Sequence, residues 1–169
     1  AFDQDDSRSW LGDVPFADDY AILVPSWSER TARTLGLLGY DGGNPGRPLV
    51  HKAIRYLRET QEDDGSWYGR WGVNYIYGTW QVLRGLSAIG EDMTEDWVLR
   101  GRDWLESCQN DDGGWGETCA SSENPDFIGK GASQASQTSW APMGFHPRPV
   151  SRRAIARSRC PFYPPREAS

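Results

Sequence analysis

The segment at residues 61–81, QEDDGSWYGRWGVNYIYGTWQ, concentrates side chains that could take part in chemistry. Six of fourteen consecutive residues in it are aromatic, namely Trp67, Tyr68, Trp71, Tyr75, Tyr77 and Trp80. The face of an aromatic ring attracts a cation through its quadrupole. These rings could therefore form a core, a ligand surface or the lining of a reaction chamber, and the segment alone leaves all three open.

Charge and cysteine content argue against several classes of function. The 169-residue chain has a net charge of −6, and residues 146–169 carry +5, which leaves −11 for the remainder. An acidic body argues against binding nucleic-acid phosphates, which requires a basic surface. The three cysteines, Cys108, Cys119 and Cys160, match no zinc spacing, and the Asp-rich turns lack the spacing of a calcium loop. Reduced thiols, a cytosolic compartment and no membrane-spanning helix are the expectation.

The chain contains an internal repeat. RYLRETQEDDGSWYG at 55–69 aligns without a gap with DWLESCQNDDGGWGE at 103–117, at an offset of 48 residues. The alignment pairs Gln61 with Gln109 and Trp67 with Trp115, and it also pairs the Asp-Asp-Gly turns between them. A period of 20–50 residues is typical of stacked supersecondary units.

Apolar residues at helical spacing predict an all-α fold, with helices at about 28–38, 48–61, 73–90 and 95–109 and another beginning near 133. Ser28 and Thr94 are predicted N-caps, Pro48 a first helical residue and Gly90 a helix end. Residues 142–169 differ, because Pro142 interrupts a helical pattern and a basic, proline-rich segment follows. A disordered tail and a frameshifted end both explain this segment.

The repeated Gln-x₃-Gly-x-Trp pattern resembles the QW motif of triterpene cyclases. GSWYGRWGVNYIYGTW at 65–80 is similar to bacterial squalene–hopene cyclases, and Arg70 with the Asn74–Tyr75 pair distinguishes it from most oxidosqualene cyclases. GKGASQASQTSWA at 129–141 and VPF at 14–16 extend the resemblance over residues 1–141. It implies part of a double-layered α/α barrel of the terpenoid cyclase type, with QW repeats at about 53–67 and 101–115.

The resemblance implies an isomerase that cyclises squalene to hopene-type pentacycles. An acid protonates a terminal alkene and aromatic faces stabilise the resulting carbocations, with no metal or organic cofactor. Arg33 and Tyr77 match residues that assist the acid, and Glu29 falls on a nearby family aspartate. Structural roles are implied for Gln61, Gly65, Trp67, Gln109, Gly113 and Trp115, whose glutamine amides are expected to bond to unpaired N–H groups of a neighbouring helix end.

The positions implied to line the cavity are Phe2, Asp19 and Trp71. Asp19 occupies a position that is often aromatic in the family, and a slip of one residue would place Tyr20 there instead. For Trp71 and Tyr77 the alternative is ordinary helix packing, and for Arg33 with Glu29 it is a solvated i,i+4 pair.

The acid itself is expected to be absent from the chain. Asp3, Asp5 and Asp6 in DQDD satisfy the Asp-x-Asp-Asp pattern of the family's acid, but the segment more closely resembles one that follows a preceding QW repeat. We therefore expect a fragment that is inactive alone, although a catalytic Asp5 remains an alternative. The full enzyme is expected to act on a polyprene at the cytoplasmic face of a membrane, as a monotopic protein and possible homodimer.

Two other functions stay open at this stage. The chain could belong to a related class II cyclase that acts on another polyprene. It could also be a non-catalytic module that binds carbohydrate on exposed tryptophans. Burial separates the last alternative from the first two, because a sugar-binding module must expose the rings of Trp67 and Trp115.

Overall fold

The computed structural model describes residues 27–40 and 46–145, and in that part of the chain helices are joined by turns and loops, without strands. The helices are α1 (Ser28–Tyr40), α2 (Pro48–Glu59), α3 (Asn74–Ile89), α4 (Asp96–Ser107) and α5 (Ala135–Phe145). Two short 3₁₀ turns, Cys119–Ser122 and Pro125–Phe127, lie between α4 and α5. The predicted all-α class is confirmed.

Helix α3 lies at the centre of the described helices. This helix packs between α1 and α5, while α2 packs against α1 and α4 packs against α3. Helix α3 is the longest of the five and is buried along most of its length, with Ile76, Leu83 and Leu86 fully enclosed. A helix that is apolar on most sides must be covered from several directions, and here the other helices provide that cover.

Local sequence signals explain where the helices begin and end. Pro48 is the first residue of α2, where its missing N–H is not needed. Gly90 ends α3 at φ 86°, a left-handed conformation that glycine adopts without steric cost. Helices α2 and α4 end two residues before the predicted ends at 61 and 109.

Both predicted N-caps are wrong in detail. Glu95 is the N-cap of α4, and the Thr94 hydroxyl instead donates to Asp92 Oδ1 at 2.7 Å within the preceding turn. Ser28 is the first residue of α1, and its hydroxyl shares a hydrogen bond of 2.9 Å with the Thr60 hydroxyl at the end of α2. Serine and threonine hydroxyls bond to whichever polar group lies closest, so spacing alone did not identify these partners.

Helix α5 continues through Pro142 to Phe145. The rest of the predicted tail, residues 146–169, lies outside the described residues. Within the described residues, no helix has the length and apolar character to cross a membrane. Cys108 and Cys119 are free thiols, and burial raises the pKa of the Cys108 thiol to about 12.

Candidate functional site

Trp67 lies at a junction of three helices. Its ring is fully buried, and its indole Nε1 donates to the carbonyl of Leu57 on α2 at 2.7 Å. Its backbone N–H donates to the Thr79 hydroxyl oxygen on α3 at 3.0 Å. The ring edge packs against Trp97 of α4, with ring centroids 6.1 Å apart. One residue therefore connects α2, α3 and α4.

Gln61 completes this junction from the end of α2. Its amide nitrogen donates to the carbonyls of Gly65 and Trp97, both at 2.8 Å, and its amide oxygen accepts from Arg100 Nη2 at 2.8 Å. The Gln61 amide does bond to the backbone at a neighbouring helix end, because Trp97 lies in the first turn of α4, but the expected N–H partner is wrong. The amide nitrogen donates to carbonyl oxygens instead, because the turn at Gly65 directs its carbonyl towards the glutamine side chain.

The second Gln-x₃-Gly-x-Trp segment repeats the tryptophan bonds and the bond from the glutamine to the glycine carbonyl. Trp115 Nε1 donates to the Leu105 carbonyl at 2.8 Å, and its backbone N–H donates to the Thr138 hydroxyl at 3.0 Å. Gln109 Nε2 donates to the Gly113 carbonyl at 2.9 Å. Gly65 and Gly113 have φ of 96° and 80°, which explains why glycine occupies this position of both turns.

Arg33 and Tyr77 come together between α1 and α3. Arg33 Nη2 donates to the Tyr77 hydroxyl oxygen. The guanidinium carbon also lies 5.7 Å from the centroid of the Tyr77 ring, within the range of a cation–π interaction. Tyr77 is only 5% exposed, whereas Arg33 is exposed. Because the phenol oxygen accepts a bond from a cation, its own proton can be directed towards another group.

Glu29 is a buried carboxylate next to this pair. It is fully enclosed at the start of α1, its Oε2 accepts the Trp71 backbone N–H at 3.3 Å, and its Oε1 is buried without a hydrogen-bond partner. Burial raises the pKa of Glu29, and the Trp71 N–H, Arg33 and Arg30 partly offset that effect. Glu29 and Arg33 do not form the solvated pair considered as an alternative, because one is buried and the other bonds to Tyr77.

Trp71 occupies a different environment from Tyr77. Its ring is 48% exposed and lies between two guanidinium groups, those of Arg30 at 5.7 Å and Arg70 at 6.0 Å. The backbone N–H of Trp71 donates to Glu29, which lies next to the Arg33–Tyr77 pair, so the backbone of Trp71 and not its ring is near that pair. The structure thus brings Arg33, Tyr77 and Glu29 together and leaves the Trp71 ring on the surface.

Two tryptophans join Tyr77 that the sequence analysis did not single out as site residues. Trp140 on α5 packs edge-on to Tyr77 with centroids 5.4 Å apart, and Trp80 lies 6.4 Å from Tyr77. Trp80 and Trp140 stack on each other at 6.2 Å. We call Tyr77, Trp80 and Trp140 the aromatic cluster. The motif QTSWA, which ends at Ala141, contained the signal for Trp140.

An open groove of ≈ 240 Å³ begins at Arg33 and runs between α1 and α3. Small residues from both helices form its base, and Leu37, Gln81 and Arg84 contribute to its sides. A second arginine–tyrosine pair lies there, since Arg84 Nη2 donates to the Tyr40 hydroxyl oxygen at 3.0 Å. The region therefore combines apolar surface, aromatic faces and fixed positive charge.

Several expected site residues are not described by the structure. Phe2 and Asp19 lie outside the described residues, as do Tyr20 and the aspartates of DQDD. The six residues with implied structural roles are all described, and each glutamine and tryptophan among them makes the hydrogen bonds given above. The groove offers apolar surface and fixed positive charge, and the bond from Arg33 orients the Tyr77 phenol next to the rings of Trp80 and Trp140, which suits chemistry that passes through a cation.

Comparison with known proteins finds relatives among the squalene–hopene cyclases. The family model described as squalene-hopene cyclase C-terminal domain matches residues 1–158. The chain is 45% identical over 147 residues to a probable squalene–hopene cyclase of Sinorhizobium fredii, covering 85% of this chain and 23% of that protein. It is 42% identical over 146 residues to the squalene–hopene cyclase of Zymomonas mobilis, covering 85% and 22%.

A relative with a different name matches nearly as well. The dammaradiene synthase of Dryopteris crassirhizoma is 40% identical over 163 residues, covering 85% of this chain and 24% of that protein. The chain therefore spans about a quarter of the length of the curated relatives it matches.

Proposed function

The chain belongs to the squalene-hopene cyclase C-terminal domain family, and we propose that it forms part of the chamber in which a triterpene cyclase protonates and folds a linear polyprene. The observation that carries this proposal is the hydrogen bond from Arg33 to Tyr77, whose ring belongs to the aromatic cluster. A hydrogen-bonded phenol next to stacked aromatic faces supports proton delivery and cation stabilisation at one place.

In the proposed reaction a carboxylic acid supplied by another part of the enzyme gives its proton to the terminal alkene. The π electron pair of that alkene forms the new C–H bond, and a carbocation remains on the neighbouring carbon. The next alkene then supplies the electron pair for each ring-forming C–C bond. The last carbocation loses a proton from a neighbouring carbon to a base in another part of the enzyme, so the neutral cyclic product is an isomer of the polyprene. Arg33 and Tyr77 orient and assist the acid, while the rings of the aromatic cluster stabilise positive charge without acting as nucleophiles.

The substrate class proposed is squalene or a similar polyprene. The relatives carry names of squalene–hopene cyclases and of a dammaradiene synthase, so family membership supports a triterpene cyclase without selecting one product skeleton. A hydrocarbon substrate dissolves in a bilayer rather than in water. We therefore also propose that the full enzyme acts at a membrane surface as a monotopic protein, and that it pairs as a homodimer.

A carbohydrate-binding module is a weaker alternative. Sugar recognition of the kind considered requires exposed faces on Trp67 and Trp115. Trp67 is fully buried and Trp115 is 6% exposed, which leaves neither ring free to stack on a sugar.

The role of Tyr77 can be tested in a chimera. The part of this chain that aligns over 146 residues with the Zymomonas mobilis squalene–hopene cyclase would replace the corresponding region of that enzyme, and products from squalene would be measured by gas chromatography with mass spectrometry. Tyr77→Phe keeps the ring and removes the hydroxyl, so we expect kcat to fall by about 10²-fold or more. Tyr75→Phe is the matched control, because Tyr75 lies on the same helix but packs against Tyr68.

The outcome that would contradict the role of Tyr77 is equal activity of the two variants. The 169-residue chain alone, given squalene, should form no cyclic product. Product formation by the isolated chain would overturn the expectation that the acid lies outside the chain, and it would restore Asp5 as the candidate acid.

A further inference from the structure

Glu117 is a buried carboxylate that the proposed reaction does not use. It follows Trp115 by two residues and is only 1% exposed. Its Oε2 accepts the backbone N–H groups of Asn74, Tyr75 and Ile76 at 3.0, 2.9 and 2.9 Å. These are the first three residues of α3, whose N–H groups have no acceptor within the helix.

No nearby side chain fills this role for α3. Val73 precedes the helix in an extended conformation and has no side chain that can accept a hydrogen bond. The cap therefore comes from a residue 41 to 43 positions further along the chain. A carboxylate at a helix N-terminus also interacts favourably with the helix dipole.

The backbone of Glu117 is held from the opposite side by α5. Gln137, itself 1% exposed, accepts the Glu117 N–H with its Oε1 and donates from Nε2 to the Glu117 carbonyl at 3.1 Å. Glu117 thus connects the start of α3 to α5. The equivalent position in the first repeat is Gly69, which has no side chain to make such a connection.

This connection bears on Tyr77, which directly follows the capped Ile76. The ring of Tyr77 packs on Trp140 of α5, three residues beyond Gln137, and its hydroxyl bonds to Arg33 of α1. A shift of the first turn of α3 relative to α5 would change both contacts. The position of the phenol therefore depends on the cap.

We propose that Glu117 is a positioning residue, which holds the first turn of α3 so that Tyr77 reaches both Arg33 and Trp140. The inference that this matters for catalysis rests on the proposed function. The inference that Glu117 fixes the position of the Tyr77 ring does not rest on the proposed function, and it is tested without measuring activity.

The test is carbon-13 nuclear magnetic resonance of the 169-residue chain. Each tyrosine carries a carbon-13 label at the ring carbon that bears the hydroxyl. The chain has seven tyrosines, and Tyr77→Phe identifies the Tyr77 carbon resonance by its loss. We expect Glu117→Ala to move or split the Tyr77 resonance at a temperature where circular dichroism shows both proteins folded. Glu117→Gln, whose amide oxygen can still accept the three N–H groups, should keep the resonance near its original position.

Asp112→Ala is the matched control for loss of stability. Asp112 Oδ1 accepts the Gly114 N–H at 2.9 Å and the Ser133 hydroxyl at 2.6 Å in the same repeat, without contacting α3. This variant should lower the unfolding temperature and leave the Tyr77 resonance in place. If Glu117→Ala does not fold, Glu117→Asp replaces it, because the shorter side chain withdraws the carboxylate and should displace the resonance in the same way.

An unchanged Tyr77 resonance in the folded Glu117→Ala or Glu117→Asp variant would overturn the proposal, and so would equal displacement in Asp112→Ala. Neither outcome depends on enzymatic activity. A failure of the proposed function would appear instead as full activity of Tyr77→Phe in the chimera, with the effect of Glu117 on the resonance unaltered.

Discussion

The two Gln-x₃-Gly-x-Trp segments share one set of bonds and differ in what lies beyond it. In both, the indole donates to a leucine carbonyl ten residues earlier, and the tryptophan N–H donates to a threonine hydroxyl. Only Gln61 also reaches the following helix, through Trp97 and Arg100, whereas Gln109 is exposed. The shared bonds close a turn, and the additional bonds attach that turn to its successor.

The comparison separates two tasks of one motif. A closed turn needs only the glycine conformation, the tryptophan and its two acceptors. Attachment to the next unit needs a helix that presents a carbonyl and a donor to the glutamine, as α4 does for Gln61. The same amino-acid pattern therefore does not imply the same contribution to stability.

The largest effect should come from removing the tryptophans. Trp67→Ala deletes a fully buried ring at a three-helix junction, and we expect the free energy of unfolding to fall by about 3–5 kcal/mol. Trp115→Ala should cost less, because its hydrogen bonds join only α4 and α5 and its aromatic neighbour is Phe145 at the end of α5. Urea unfolding followed by far-ultraviolet circular dichroism measures both.

Leu37→Ala provides the control for this pair. Leu37 is 71% exposed, so the substitution should change the unfolding free energy by less than about 0.5 kcal/mol. Equal losses of unfolding free energy for Trp67→Ala and Trp115→Ala would contradict the expected difference, since both junctions would then contribute equally to stability.

An intermediate effect is expected at the glutamines. Gln61→Leu removes donors to two carbonyls and the acceptor for Arg100, and should lower the free energy of unfolding by about 1–3 kcal/mol. Gln109→Leu removes one exposed bond and should cost about 0.5 kcal/mol or less.

A double-mutant cycle sharpens the result for Gln61. Arg100→Leu alone and together with Gln61→Leu gives the interaction energy of the pair, which we expect to favour the native state. Additive effects would show that the bond between Gln61 and Arg100 does not stabilise the attachment of α4.

The smallest effect concerns Glu29, the buried carboxylate beside the loop of the first repeat. Its raised pKa means that the native state keeps a proton that the unfolded state has lost. The free energy of unfolding should therefore fall as pH rises from the ordinary pKa of 4.5 through the raised native value. Glu29→Gln removes this slope, so its stability relative to the original protein should improve between pH 4 and pH 8.

The matched control for Glu29→Gln is Glu106→Gln, at an exposed glutamate on α4. It should keep the pH dependence of the original chain when both are unfolded with urea at each pH. A Glu29→Gln profile that runs parallel to the original would contradict the assigned cause of the slope.

Local signals made the helices predictable from the sequence. Apolar spacing, Pro48 and Gly90 each act within a few residues, and the helices formed close to the expected positions. The Arg33–Tyr77 contact was expected only through family resemblance, because the two residues lie 44 positions apart.

The rest of the site depends on long-range geometry. The cap of α3 by Glu117 and the contact of Tyr77 with Trp140 join residues that share no local pattern. The direction of the Gln61 bonds was also beyond prediction, since an amide can donate or accept and only the position of Trp97 decided which.

The attachment of Gln61 to α4 has a consequence for synthesis on the ribosome. Its two partners in α4 lie 36 and 39 residues downstream, so they do not yet exist when Gln61 is added. At about 5–20 residues per second, the first turn waits about 2–8 s for them. The first repeat is thus completed only after α4 of the second repeat has emerged.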